Sequence, residues 1–340
     1  MAFEPRYKIF RKSVNNQSQS IFQPEAPNTQ EYTYVASSLS IAVSLLDSAA
    51  AKHAMVRVIR QIDPRLPLNQ RLFQGRPDGD IRTQVDQFVA ILQGRTPMIV
   101  LDPGLHRAVS AYHPRIEWSG NFVPEQHAVF VNLKLVDDMV NASNSLSAFR
   151  RFQFQFANMF FHEIGAHVLV TFLYHGRPTT PPTAIAPGWI DQTQLSHIPG
   201  TVGESGRLLE FFAFGGTLEF YNTPEISTPW IVRNGRAQKV TAATIDTAVR
   251  QRGKLPSRGI ISKGFTDNSE VFTLPYPTTG GSTEVTSLVR VNGGQHLSQP
   301  AEANVRGLIA RAMQMPFRFR ISAANLRQVP NNPSILAQAA

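Results

Sequence analysis

The chain contains no cysteine among its 340 residues. Disulfides and thiolate metal sites are therefore excluded, and a small secreted disulfide scaffold is disfavoured. Charged residues are sparse at 17%, against 42% hydrophobic, a balance that argues against disorder and for a sizeable core. No uncharged apolar run reaches the roughly 18 residues of a membrane span, so a membrane is not an expected partner. The longest candidate, Phe152 to Leu173, is interrupted by His162, Glu163 and His167. The opening Met1-Ala2-Phe3-Glu4-Pro5-Arg6-Tyr7-Lys8 has no apolar h-region, so no secretory signal is expected and the expected compartment is the cytoplasm. No internal repeat is present.

Charge of one sign is not lacking. The net charge is +9 and the pI about 10.1, which favours anionic partners or acidic substrates. The arginines are scattered, however, with no continuous basic run and no zinc-finger, RRM-like or helix-turn-helix signature, so nucleic acid is not an expected partner. The densest cluster, Arg306, Arg311, Arg318 and Arg320, interleaves Phe317 and Phe319 and reads as an alternating strand.

Patterning indicates an α+β chain. Residues 1–30 are polar, broken by Pro24 and Pro27, and read as an extended arm or a strap on the surface. Ser37 to Ile62 reads as one helix, with Leu39, Val43, Leu46 and Ala50 on one stripe. Asp80 to Leu92 reads as a second helix. Met98 to Leu101 is a short buried strand, and His127 to Leu133 is the next, with a helix from Leu135. A long helix runs from Ser147, its candidate N-cap, to Tyr174. Gly176 to Pro199 is a proline-rich loop, and Glu204 to Phe220 a further helix, uneven around Gly215-Gly216. Trp230 to Val240 reads as a hairpin turning at Asn234-Gly235. Thr244 to Arg252 is a short helix, Val305 to Met313 another, and the texture after Pro256 is strand-rich. The expected organisation is an arm over 1–30, a core over 31–256, and a strand-rich region over 257–340 that is separate or completes the same domain.

The chemistry concentrates in Phe161-His162-Glu163-Ile164-Gly165-Ala166-His167. Two imidazoles and a carboxylate inside an apolar helix call for a reason, and the simplest is a divalent metal with a carboxylate beside it to move protons. A second apolar helix opens with Gly203-Glu204-Ser205-Gly206-Arg207 and carries Glu210. Two His and a later helical Glu form the donor set of a catalytic zinc site with one open position. The His spacing is irregular. The zinc-protease pattern H-E-x-x-H puts the rings one turn apart, whereas His162 and His167 stand at i and i+5. At roughly 100° per residue, i+4 is about 40° off alignment and i+5 about 140° off. A regular α-helix would point the rings apart. A one-residue π-bulge would bring them back to one face, and Gly165 inside the interval makes that distortion cheaper.

The segment resembles the gluzincin metallopeptidases, which take two His from one helix and a Glu from the next. The lengthened spacing is similar to the HExxxH motif of dipeptidyl peptidase III. Gly165 and Ala166 stand in the opposite order from that family's pattern, and Gly203–Glu210 does not reproduce its third-ligand stretch. The likeness covers two helices. It implies a zincin-like fold, with an active-site helix beside a small mixed sheet and a second ligand-bearing helix. It implies His162 and His167 as ligands and Glu163 as the base that deprotonates the attacking water. Glu204 is preferred as third ligand because Ser205 and Gly206 let its helix approach closely, and Glu210 is the alternative. About 240° round the helix from Glu204, Glu210 would otherwise orient a His ring. In such folds a strand before the active helix, here His127 to Leu133, can border the cleft, although plain sheet core is its simpler reading.

The expected function is a zinc metallopeptidase acting on a peptide or other small substrate. His197 and Tyr221 are the expected catalytic donors to the oxyanion, with Arg207 and His175 also within sequence reach and Asp191 a further candidate substrate contact. Two rivals stand beside it. The same donor set with Fe2+ would suit a lyase, isomerase or oxygenase, and a zincin-like scaffold could be a non-catalytic binding protein. The oligomeric state stays open.

Overall fold

In the computed structural model, residues 6–15, 20–105, 109–176, 205–221, 227–233, 236–250 and 266–273 are described. The expected loop from Gly176 to Pro199 and helix from Val305 to Met313, and the Arg306–Arg320 cluster, lie outside them, apart from Gly176 itself. The fold is α+β, with a five-stranded mixed sheet, a small antiparallel sheet and a helical layer.

The first sheet has the order β2-β1-β3-β5-β4, with β1 Ile9–Val14, β2 Ser20–Pro24, β3 Met98–Asp102, β4 Ala111–Tyr112 and β5 Ala128–Asn132. β1, β3 and β5 run parallel in register Ile9↔Ile99 and Ile99↔Val129, and the two edge strands are antiparallel. Alternation sorts the side chains onto two faces. Ile9, Ile99, Leu101, Val129 and Val131 enter the main core under the helices, while Phe10, Met98, Val100, Ala128 and Phe130 form a second cluster with Ile116 on the other face. β3 and β5 are buried throughout, as expected of strands covered on both sides.

One expectation is corrected here. The segment read as an arm supplies β1 to the middle of the sheet, because Ile9 and Phe10 each find an apolar layer and the ladder with β3 satisfies the backbone. The strand at His127 to Leu133 is interior, between β3 and β4, in line with its plain sheet-core reading, and β4 is the edge among the described residues.

The helices are α1 Gln30–Asp47, α2 Ala49–Ile62, α3 Asp78–Gly94, α4 Leu133–Asn141, α5 Leu146–His162, α6 Leu169–Leu173, α7 Ser205–Phe214 and α8 Ala242–Arg250. The expected single helix over Ser37–Ile62 is two, bent by 75° at Ser48. Ser48 is extended (ψ 146°) and its hydroxyl accepts from Ala51 N–H, which starts α2 afresh. Thr29 caps α1 in the same way, accepting from Tyr32 N–H.

The long helix begins at Leu146 with Ser145 at the N-cap position, not Ser147, and Ser145 makes no side-chain cap bond. Leu146–Leu173 is long and apolar enough to cross a membrane, but its apolar window is buried entirely inside the protein. α7 ends at Phe214 instead of continuing to Phe220. Gly215 takes φ 77°, a left-handed stop suited to glycine, and β6 Thr217–Tyr221 follows. β6, β7 Thr228–Arg233, β8 Arg236–Val240 and β9 Thr266–Thr273 pair antiparallel in chain order. The pair Arg233↔Arg236 flanks Asn234-Gly235 as a two-residue hairpin requires. β9 comes from beyond residue 256 and pairs with β8, so the second sheet runs across that boundary.

Candidate metal centre

Between α5 and α6 the helix loosens into a π-helical segment, Glu163–Val168, without breaking. The extra residue rotates His167 back beneath His162, so the two rings lie 5.3 Å apart at 52°. One ligand atom each from His162, Glu163 and His167 fall within 4.8 Å of one another, and all three residues are buried. A π-turn is less well packed than an α-turn. Its retention where His162 and His167 meet is the local cost of aiming both imidazoles at one point.

Both rings are held from behind. His162 Nδ1 donates to Glu210 Oε1 at 3.0 Å. That carboxylate is itself fixed by Asn158 Nδ2 at 3.2 Å and by Leu218 N–H on Oε2 at 3.0 Å. His167 Nδ1 lies 3.0 Å from Ser205 Oγ at the start of α7. With Nδ1 engaged on each ring, Nε2 is the nitrogen each would present to a cation, the usual arrangement of a metal-binding His with an outer partner. Glu210, the alternative third ligand, is thus placed on the Nδ1 side of His162, where it orients the ring.

Gly206 shows how α7 meets the His162 ring. A Cβ there would lie 2.2 Å from His162 Cδ2 and Nε2 and 2.4 Å from Cε1. Near-equal distances put it over the ring face. An atom in the ring plane, in line with the nitrogen lone pair, would lie clearly farther from the two carbons. α7 therefore packs flat across the imidazole face. The residues fit a divalent cation: two imidazole nitrogens and one carboxylate, convergent, buried and oriented.

Gly165 serves the same approach from the other helix. Its absent Cβ would come within 2.5 Å of Leu46 Cδ2 and 2.8 Å of Leu209 Cδ2, both fully buried side chains. We expect Gly165→Ala to cost about 1–3 kcal/mol by overpacking, seen as a lower midpoint in chemical denaturation. Gly206→Ala must instead displace the His162 ring, so its larger effect should fall on metal affinity.

A second layer ties the sheet edge to this helix. His113, directly after β4, is fully buried. Burial above all, then the nearby His127, holds its pKa well below the usual histidine range, so the ring is neutral. Its Nδ1 donates to Ala128 O at 2.8 Å and its Nε2 meets Thr171 Oγ1 at 3.1 Å. The Thr171 hydroxyl is also 2.9 Å from the His167 carbonyl, and Trp118 Nε1 donates to Thr171 O at 2.8 Å. The edge strand is thereby anchored one turn from His167.

Of the other expected site residues, Glu204 and His197 lie outside the described residues, as does Asp191, and the Tyr221 side chain is not described although its backbone ends β6. Arg207 is buried and pairs with Glu219. His175 is exposed at φ 54°, stacked on Trp118 with centroids 4.3 Å apart. Ser205, Asn158 and His113 were missed by sequence reasoning. Asn158 stands at i−4 from His162, which puts it on the ring's face of the helix, and that spacing was the available signal. The chain matches no protein-family model, and comparisons with curated proteins and with solved structures likewise return no match.

Proposed function

We propose that the protein is a metal-dependent hydrolase, and specifically a zinc peptidase of the gluzincin type. The observation that carries this reading is the π-segment that brings His162, Glu163 and His167 together with both Nδ1 atoms tied back. Zinc bound there supplies Lewis-acid polarisation of a carbonyl and a water that ionises near neutral pH. His162 and His167 hold it. Glu204, next in sequence to the Ser205 that meets His167, is the third ligand. Glu163 takes the proton of the attacking water and hands it to the leaving nitrogen. His197 and Tyr221 are the candidate donors to the developing oxyanion. Beside this site, β4 is an antiparallel edge among the described residues, and its neighbour His113 is bonded to Thr171 on the helix that follows the π-segment; on this reading an extended peptide adds to that edge. A cytoplasmic location is part of the same proposal.

The close Glu163 carboxylate also supports a second reading, in which it completes a two-His-one-carboxylate face for Fe2+. Elemental analysis of the purified protein, followed by titration of the chelator-stripped chain with Zn2+ and Fe2+, decides between them. One zinc per chain, with peptide cleavage restored by zinc, is expected. Iron at that stoichiometry replaces the hydrolase with redox chemistry, and absence of both metals removes the proposal.

A further inference from the structure

The connection between α2 and α3 has a different character from the rest of the surface. From Ser48 to Pro77 the chain carries Lys52, Arg57, Arg60, Arg65, Arg71 and Arg76, while Asp63 is its only acid and is buried. Lys52 and Arg60 are neutralised by Asp47, Asp86 and Asp78. Among the described residues, Arg65, Arg71 and Arg76 have no carboxylate within ion-pair distance. Between these guanidiniums project Leu68, 71% exposed, and Leu72, 41% exposed. Leu68 opens a short 3-10 turn that buries none of its residues.

This projection is not a loose tip. Leu66 and Phe73 are buried and pin it to the core. The Asp63 carboxylate accepts Leu72 N–H at 2.8 Å and Phe73 N–H at 3.2 Å, and also the Tyr174 hydroxyl at 2.9 Å. Arg60 donates to Phe73 O at 3.2 Å, and Pro64 and Pro67 stiffen the chain between. The fold thus uses buried hydrogen bonds to hold two leucines in water, on a segment whose exposed charges are arginines, with Asp80 beside Leu72 and Arg76. An isolated exposed leucine is ordinary. Two on a braced, basic turn suit an anionic bilayer, with apolar tips in the acyl boundary and arginines at the headgroups.

We propose that residues 65–76 form a peripheral docking site for an anionic phospholipid surface. It needs no membrane-spanning segment and is independent of the metal centre. Because Tyr174 is bonded to Asp63, docking would present the C-terminal end of the metal-bearing helix to the membrane side.

Co-sedimentation of the full chain with vesicles tests this. Binding to phosphatidylcholine vesicles containing phosphatidylserine is expected, together with weak binding to phosphatidylcholine alone and release by salt. Arg65→Glu with Arg76→Glu should weaken binding by at least about 30-fold. Leu68→Ser with Leu72→Ser should weaken it by at least about ten-fold with an unchanged melting temperature. Failure of the wild-type chain to bind phosphatidylserine vesicles overturns the proposal. So does wild-type binding by the leucine variant, which would reduce the contact to charge-only adsorption, or equal competition by soluble polyglutamate, which would mark the patch as a site for acidic protein.

Discussion

Glu163→Gln should reduce cleavage of a mixed peptide library by about 10²- to 10⁴-fold, the range lost when a positioned general base is removed. Metal content should be unchanged. Glutamine keeps the length and volume of the side chain, so the packing around this buried position survives, and what disappears is the capacity to accept a proton. Glu163 is the first residue of the π-segment and lies directly after His162, the proposed ligand, so its carboxylate shares the space toward which both rings converge. A group placed there either binds the cation or acts on the water beside it, and the two roles give opposite results. If the glutamine variant loses its metal, Glu163 is a ligand and the iron reading gains. If it keeps both metal and full turnover, Glu163 is neither ligand nor base, and the hydrolytic proposal fails. A non-catalytic binding protein would be indifferent to the change in every assay except local stability.

That prediction was accessible from sequence because the irregularity was geometric. A five-residue interval between two histidines is incompatible with one face of an α-helix, and a single local distortion reconciles them. The π-segment at Glu163–Val168 is the distortion expected. The helix break at Ser48 was not accessible in the same way. Ser48 is followed by Ala49-Ala50-Ala51, among the best helix formers, and the apolar stripe runs on through them. The 75° bend arises because α2 packs against α3 and α7, a tertiary demand that local propensity does not contain. β1 was hidden for a related reason. Ile9-Phe10-Arg11-Lys12 has two apolar residues, too few to signal a central strand, yet each faces a different core layer.

The site shows the same division. His162, Glu163 and His167 are close in sequence, and their proximity in space follows from helix geometry alone. Their supporting partners are distant in the chain. Ser205 reaches His167 and Glu210 reaches His162 only because α7 crosses the π-segment at short range, and that crossing depends on two missing Cβ atoms, at Gly165 and Gly206. Small residues flanking Glu204 hinted at a close approach, but they did not say which imidazole would be approached or that Glu210 would point behind the ring. His113 carried no signal at all. It becomes part of the assembly through β4 pairing with β5, a contact between short strands that periodicity does not reveal.

His167→Ala should remove the metal, and the dissociation constant should rise by more than the about 10- to 100-fold expected when only an outer partner is lost. Glu210→Gln supplies that comparison. It keeps an acceptor oxygen for His162 Nδ1 but gives up the charge, so it should bind metal about 10- to 100-fold more weakly while retaining the fold. Thermal unfolding provides a readout independent of any substrate. A cation that binds only the folded chain stabilises it by about 4 kcal/mol when its free concentration is about a thousand times Kd. A chelator should therefore lower the wild-type melting temperature by several degrees. It should lower that of the Glu210→Gln variant by less, and leave that of the His167→Ala variant unmoved. The ordering matters more than any single value, because loss of packing alone would lower the melting temperatures but would not abolish their response to chelator. A His167→Ala protein that still responds to chelator like the wild type would mean that the convergent imidazoles hold no cation, and the π-segment would then need another explanation.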